Sequence, residues 1–213
     1  MGNIIKTFES FTEDDDKEYK FEELSPRAKD HAIEQERNSI AETMDDWDTE
    51  ILEEFEKELG EIDITNVDIQ YTGFNSQGDG ASFTGVVNNI KNFVIDILGM
   101  KIPDVALPVL DEIAIEIVRT DRQHYHENSV TLVVSVNGED EVEVTEWLGV
   151  EVILDVQEQC DAIEPIANEW LKNKCRELYK RLEKEYDSAF EEDRIKNHLI
   201  DSDYLFDEKG NMI

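Results

Sequence analysis

The sequence predicts an α+β fold: an antiparallel sheet of about four strands packed against several helices, with a long C-terminal helical region. Two patterns predict it. Apolar residues alternate with polar ones in separate short runs, Val67-Ile69-Tyr71, Ile113-Ile115-Ile117 and Val130-Leu132-Val134, and a period of two marks strands with one buried face. Elsewhere they recur at helical spacing: Trp47, Ile51, Leu52, Phe55 and Leu59, and then Ile163, Ile166, Trp170, Leu171, Leu178, Leu182 and Tyr186. A spacing of three and four residues puts each set on one helix face.

Residues 1–20 read as an acidic arm, because the run Glu13-Asp14-Asp15-Asp16 has no apolar periodicity. A single α+β domain is expected over 21–213. Ser25-Pro26 opens a helix, the serine as N-cap and the proline at the first helical position. A second helix is expected from about Asp45 to Leu59, with Gly60 as its stop. The strand at Val67–Tyr71 leads through a turn-rich segment to a short strand at Ala81–Val87. A short helix is expected over Asn92–Leu98, and Pro103 and Pro108 bracket a connection of open type. The runs 113–117 and 130–134 pair as a hairpin around Asp121–Asn128. Val142, Val144 and Val150–Leu154 add an edge strand or an excursion. Glu158–Phe190 is helical, and a further helix through Ile195 and Leu199 precedes a turn at Glu208–Gly210.

Composition bounds the function. The 213 residues carry 53 Asp plus Glu against 20 Lys plus Arg, a formal net charge of −33. Solubility asks for a net charge of only about 2–8 in a small domain, so the excess calls for another explanation. Direct nucleic-acid binding needs Lys/Arg clusters that displace phosphate counterions, and here the basic residues are interleaved with acidic ones, as in Lys180-Arg181-Leu182-Glu183-Lys184-Glu185. No run approaches a membrane span, no signal peptide follows the N-terminus, and no cofactor motif is present. Cys160 and Cys175 fall in one expected helix, where fifteen residues separate them by about 22 Å, far beyond the ~7 Å limit for a disulfide. Two reduced thiols and a cytoplasmic location follow.

Three candidate sites stand out. The segment Ser76-Gln77-Gly78-Asp79-Gly80 offers glycines for positive φ and for close backbone approach, with polar side chains beside them, as a ligand loop or as a structured hairpin connection. It lacks the Lys-Ser/Thr pair of a phosphate-binding P-loop. His124 and His126 share a face if extended and, with a carboxylate such as Asp79, offer the ligand types of a divalent metal site, though two imidazoles fall short of the three or four ligands such a site needs. Asp45, Asp46, Asp48, Glu50, Glu53 and Glu54 surround the second helix as a carboxylate-dense face for a basic partner. No nucleophile–base pair is visible, and an enzyme is the less expected class.

Three segments resemble bacteriophage proteins of uncharacterised activity: Tyr19–Glu34 (YKFEELSPRAKDHAIE) an opening, Gly73–Phe83 (GFNSQGDGASF) a central motif and Tyr204–Asn211 (YLFDEKGN) an ending. The long acidic helices and the Pro103–Pro108 region depart from that pattern. The resemblance implies a phage origin and action inside a bacterial host. With the charge, it leads to the expectation of an acidic interaction protein that inhibits a basic, nucleic-acid-binding host defence protein by nucleic-acid mimicry. The other expectation is a small-ligand or nucleotide-binding protein that uses the Ser76–Gly80 loop with His124 and His126.

Overall fold

The structure, a computed structural model, describes residues 17–44, 47–74, 76–120, 122, 124–145 and 151–213. It is α+β, as expected, and its contacts divide the chain into two compact units. One takes the residues up to Trp47 together with Tyr186–Ile213; the other is Asp48–Glu185. The reading of one domain from residue 21 onward did not draw this division.

In chain order the first elements are β1 (Tyr19–Lys20), a 3-10 turn at Phe21–Glu23 and α1 (Pro26–Thr43). Ser25 caps α1 as expected, its hydroxyl accepting from the Ala28 amide at 3.3 Å, an arrangement that contributes about 1 kcal/mol. The larger unit then begins with α2 (Thr49–Glu61). Gly60 does not end this helix. The reversal falls three residues later on Asp63, at φ 62°, because aspartate tolerates the left-handed region and its carbonyl there accepts the Asn88 amide at 2.9 Å.

Strands β2 (Ile64–Tyr71) and β3 (Ala81–Val87) follow, then α3 (Ile90–Asn92), which runs on as a π-turn over Phe93–Ile97. The proline-bracketed connection is a 3-10 helix, Asp104–Glu112. Strands β4 (Ile113–Arg119) and β5 (Val130–Val136) complete a four-stranded antiparallel sheet in the order β2-β3-β4-β5. Register pairs run from Ile113↔Val136 to Arg119↔Val130, the expected hairpin. The valine-rich excursion is a separate two-stranded ribbon, β6 (Glu141–Thr145) with β7 (Glu151–Asp155).

Helix α4 (Val156–Ala189) spans 34 residues. Asp155 starts it by accepting from the amides of Gln157 and Glu158 at 2.8 and 3.2 Å. Its buried stripe is Ile163, Ala167, Leu171, Cys175, Leu178 and Leu182; of the face read from the sequence, Ile163, Leu171, Leu178 and Leu182 are buried, Trp170 and Tyr186 are half-buried, and Ile166 is exposed. The inward residues of the sheet, Phe83, Ile115, Ile117 and Leu132 among them, are buried. Phe55 of α2 meets Phe83 edge-on at 5.6 Å, and Phe93 meets Trp170 of α4 at 5.0 Å. One side-chain amide covers the middle of the β5 edge: Asn168 of α4 donates to the Leu132 carbonyl at 2.8 Å and accepts from the Leu132 amide at 2.9 Å.

The smaller unit is completed by α5 (Glu192–Asp201) and β8 (Leu205–Phe206), which pairs with β1. Its core is Phe21, Leu24, Ala28, Ala32, Ile33, Ile195, Leu199 and Phe206. Asp207 accepts from the Lys209 and Asn211 amides and from the Asn211 side chain, building the final turn. Gly210 stands at φ 89° and so close to α1 that a Cβ would collide with the Ala28 carbonyl oxygen. Asn211 then accepts from Gln35, and its side-chain oxygen lies 3.0 Å from His31 Nε2. The opening and closing segments singled out in the sequence are thus two halves of one packed unit.

Candidate functional site

The carboxylates expected on the second helix divide into three groups. Asp45 and Asp46 lie outside the described residues. Asp48 accepts a hydrogen bond of 2.6 Å from the Tyr71 hydroxyl, and burial together with this carboxylate raises the tyrosine above its ordinary value. Asp48 is half-buried, and one of its oxygens is engaged within the fold. Glu50, Glu53 and Glu54 are exposed, as are Glu56 and Glu61, while Phe55 and Leu59 point into the core. Glu58 is also committed: it holds both terminal nitrogens of Arg181 at 2.7 and 3.0 Å. From Glu50 to Glu61 the helix rises about 16 Å at ~1.5 Å per residue. That length matches about five phosphates of one DNA strand at ~3.4 Å each.

The Ser76–Gly80 segment connects β2 to β3, with Tyr71 opposite Ala81. Its amide donors are turned inward: Asp79 accepts from the Ser76 amide at 2.6 Å, the Asp79 amide donates to the Ser76 carbonyl at 3.1 Å, and the Gly80 amide donates to the Thr72 hydroxyl at 3.2 Å. These three amides, satisfied within the turn, are not free to cradle a phosphate. Gln77 is exposed.

The glycines have another use. Gly78, at φ 100°, lies against the His124 ring, 3.5 Å from where a Cβ would stand, and Gly80 leaves room for His126, whose Cα would lie 2.8 Å from a Cβ there. The two loops that the ligand reading combines therefore touch, and the imidazoles stack with centroids 6.2 Å apart and planes 18° from parallel. They do not build a metal centre: among the described residues no three or more His, Cys, Asp or Glu side chains are grouped to hold an ion.

His126 Nδ1 accepts the Asn128 amide at 3.0 Å, and Ser129 closes the same turn by accepting the His126 amide at 2.9 Å and donating to the His126 carbonyl at 2.7 Å. Ser129 and Ser82 are buried with hydroxyls 3.5 Å apart, and the buried Thr120 hydroxyl beside them has no partner among the described residues.

Beside this contact opens a cavity of about 340 Å³, lined by Asp79, Gly80 and Glu127 and by Arg176, Tyr179, Lys180 and Glu183 of α4. Arg176 reaches Glu127 at 3.5 Å. The tyrosine ring packs on Phe74, at 5.5 Å, and its hydroxyl meets the Gly73 carbonyl at 3.4 Å. These α4 residues were missed as a group in the sequence. Their only signal is the i, i+3, i+4, i+7 spacing of 176, 179, 180 and 183 along the polar side of the apolar stripe. Cys175 lines the cavity as well, but burial pushes its thiol up to about 12, which leaves it without nucleophilic character. Cys160 is likewise buried, and both thiols are unlinked.

Among the described residues no helix is long and apolar enough to cross a membrane. No curated protein and no solved structure matches the chain. A family model does match, over residues 47–192, which takes in the whole of the larger compact unit, Asp48–Glu185, and extends past its C-terminal end; the chain belongs to that family, described as a domain of unknown function, DUF8835.

Proposed function

We propose that this protein is an acidic interaction protein that occupies the nucleic-acid-binding surface of a basic host protein. The observation that supports this reading best is the exposed carboxylate face of α2, Glu50, Glu53, Glu54, Glu56 and Glu61, on a chain of net charge −33. A rigid helix fixes the spacing of the charges, and packing of Phe55 and Leu59 fixes the helix. The field of so many carboxylates also steers a basic partner toward the chain from beyond contact range. The sequence resemblance to bacteriophage proteins supports action inside a bacterial host, and the charge supports a basic, nucleic-acid-binding partner there, which this reading takes to be a defence protein of the host cytoplasm.

Exposed ion pairs contribute about 0.2–1 kcal/mol each, so single substitutions leave binding nearly intact. Reversing Glu50, Glu53, Glu54 and Glu61 to lysine together abolishes it. The test is competition between this protein and nucleic acid for a basic host protein recovered from lysate, at low and high salt. Full inhibition by the fourfold reversal, or simultaneous binding of nucleic acid and this protein, sinks the reading. A second reading, a small-ligand protein, is favoured by the cavity beside Asp79 and Gly80. It would show as a ligand retained through purification and lost on Asp79→Ala.

A further inference from the structure

We infer that a pocket between α2 and α4 takes one apolar side chain of the basic partner, flanked on that partner by lysine or arginine. The inference rests on the reading of α2 as the partner face and adds what charge does not specify, the residue at the centre of the contact. The pocket is walled by Phe55, Leu59 and Ile62 of α2, by Ile97 of the π-turn and by Trp170 of α4. Phe55 and Leu59 are buried, whereas Ile62, Ile97 and Trp170 are half-buried, so part of each meets solvent. Ile166, one turn before Trp170 on the same side of α4, is 43% exposed. The pocket's volume of about 180 Å³ lies below the roughly 300–1,000 Å³ of sites for drug-sized ligands and near the ~150 Å³ of an apolar cavity that takes benzene. It is the size of one branched or aromatic side chain.

The chemistry of the occupant follows from the charges around it. The two charged residues that line the pocket are already engaged: Glu58 holds Arg181 at 2.7 and 3.0 Å, and Lys174 meets Glu177 at 2.8 Å. The walls therefore select an apolar group, whose burial leaves no polar atom unsatisfied. Glu54 and Glu61, four residues before Glu58 and three after it, share its side of α2 and are exposed, as is Asp96 next to Ile97. These carboxylates border the pocket with negative charge and complement cations beside the apolar group. A desolvated anchor inside a polar rim is the anatomy of a protein–protein contact. Charge alone serves any basic surface; the pocket restricts the partner to one that sets an apolar side chain among its cations.

The experiment uses the intact chain and two short peptides of alternating lysine and arginine, alike except for leucine or serine at the centre. Each is titrated by NMR against the chain with labelled isoleucine methyl groups. The leucine peptide is expected to bind about tenfold more tightly, the low end for burying one leucine side chain, and to shift the methyls of Ile62 and Ile97. Raising the salt weakens both peptides and keeps their ratio. Ile97→Phe fills the pocket and should bring the two peptides level without weakening the serine one. Glu54→Gln combined with Glu61→Gln should weaken both by a similar few-fold factor. Equal binding of the two peptides by the native chain overturns the pocket and leaves the acidic face standing, whereas no binding of either sinks both. A leucine preference that survives in Ile97→Phe, or that comes without shifts at Ile62 and Ile97 in the native chain, also overturns the proposal. The native-chain comparison decides whether or not the variant folds.

Discussion

The two units of this chain solve the same problem, the ordering of a helix, with different materials. Asp48–Glu185 covers a four-stranded sheet with helices and buries large side chains: Phe55, Phe83, Phe93, Leu171 and Leu178 are all under 2% exposed. The smaller unit sets α1 against α5 through Ala28 and Ala32, and relies on close backbone approach at Gly210, the β1–β8 pair and the capping of the last turn by Asp207. The family match covers the whole of the first unit and runs on into the second only as far as residue 192. Both cores bury phenylalanine and leucine, and what sets the smaller unit apart is the close backbone approach of Gly210 to the Ala28 carbonyl.

The comparison can be broken at either end. Phe55→Ala removes a fully buried ring and is expected to cost the larger unit about 3–5 kcal/mol. In amide exchange, protection should fall at Leu132 and Leu171 and hold at Ile33 and Leu199. Gly210→Ala combines strain at positive φ with a collision at Ala28 and should cost the smaller unit about 2–4 kcal/mol, with the opposite exchange pattern. If either substitution lowers protection in both sets, the units unfold as one and the distinction fails.

Asn168→Ala strips both hydrogen bonds from Leu132 and is expected to cost about 1–3 kcal/mol, read as a lower urea midpoint for the larger unit. The smallest effect comes from acid. Asp203 and Asp207 are held below the ordinary carboxylate range, the first by Lys20 and the second by the Asn211 side chain. A depressed carboxylate stabilises above its unfolded pKa, near 4, and that contribution is lost as the pH falls below it. Titration from pH 5 to 2.5 should therefore loosen the Leu205–Ile213 segment, and Asp207→Asn should remove part of that response.

Much of this was legible in the sequence because it is local. The alternation of 113–117 and 130–134 fixed a hairpin whose two strands do pair, and Ser25-Pro26 marked a real helix start. The stop at Gly60 failed because glycine permits a reversal without requiring one, and Asp63 supplies it. The Ser76–Gly80 loop was legible as a turn. Its reason was only partly so: the positive φ of Gly78 is local, but the residue that needs Gly80 to be small is His126, more than forty positions away. Asp48 read as a surface charge because its partner Tyr71 lies in a different element. Lone charges on a helix look alike until a contact distant in sequence commits one of them.

The pairing of Tyr19–Lys20 with Leu205–Phe206 has a consequence for synthesis. The Lys20–Asp203 contact joins residues 183 positions apart, and a ribosome adding roughly 5–20 residues per second takes about ten to forty seconds to cover that interval. Throughout that time α1 waits without α5. The face it must leave uncovered is Ala28, Ala32 and Ile33, two methyl groups and one larger chain, which gives a nascent helix little with which to stick to its neighbours.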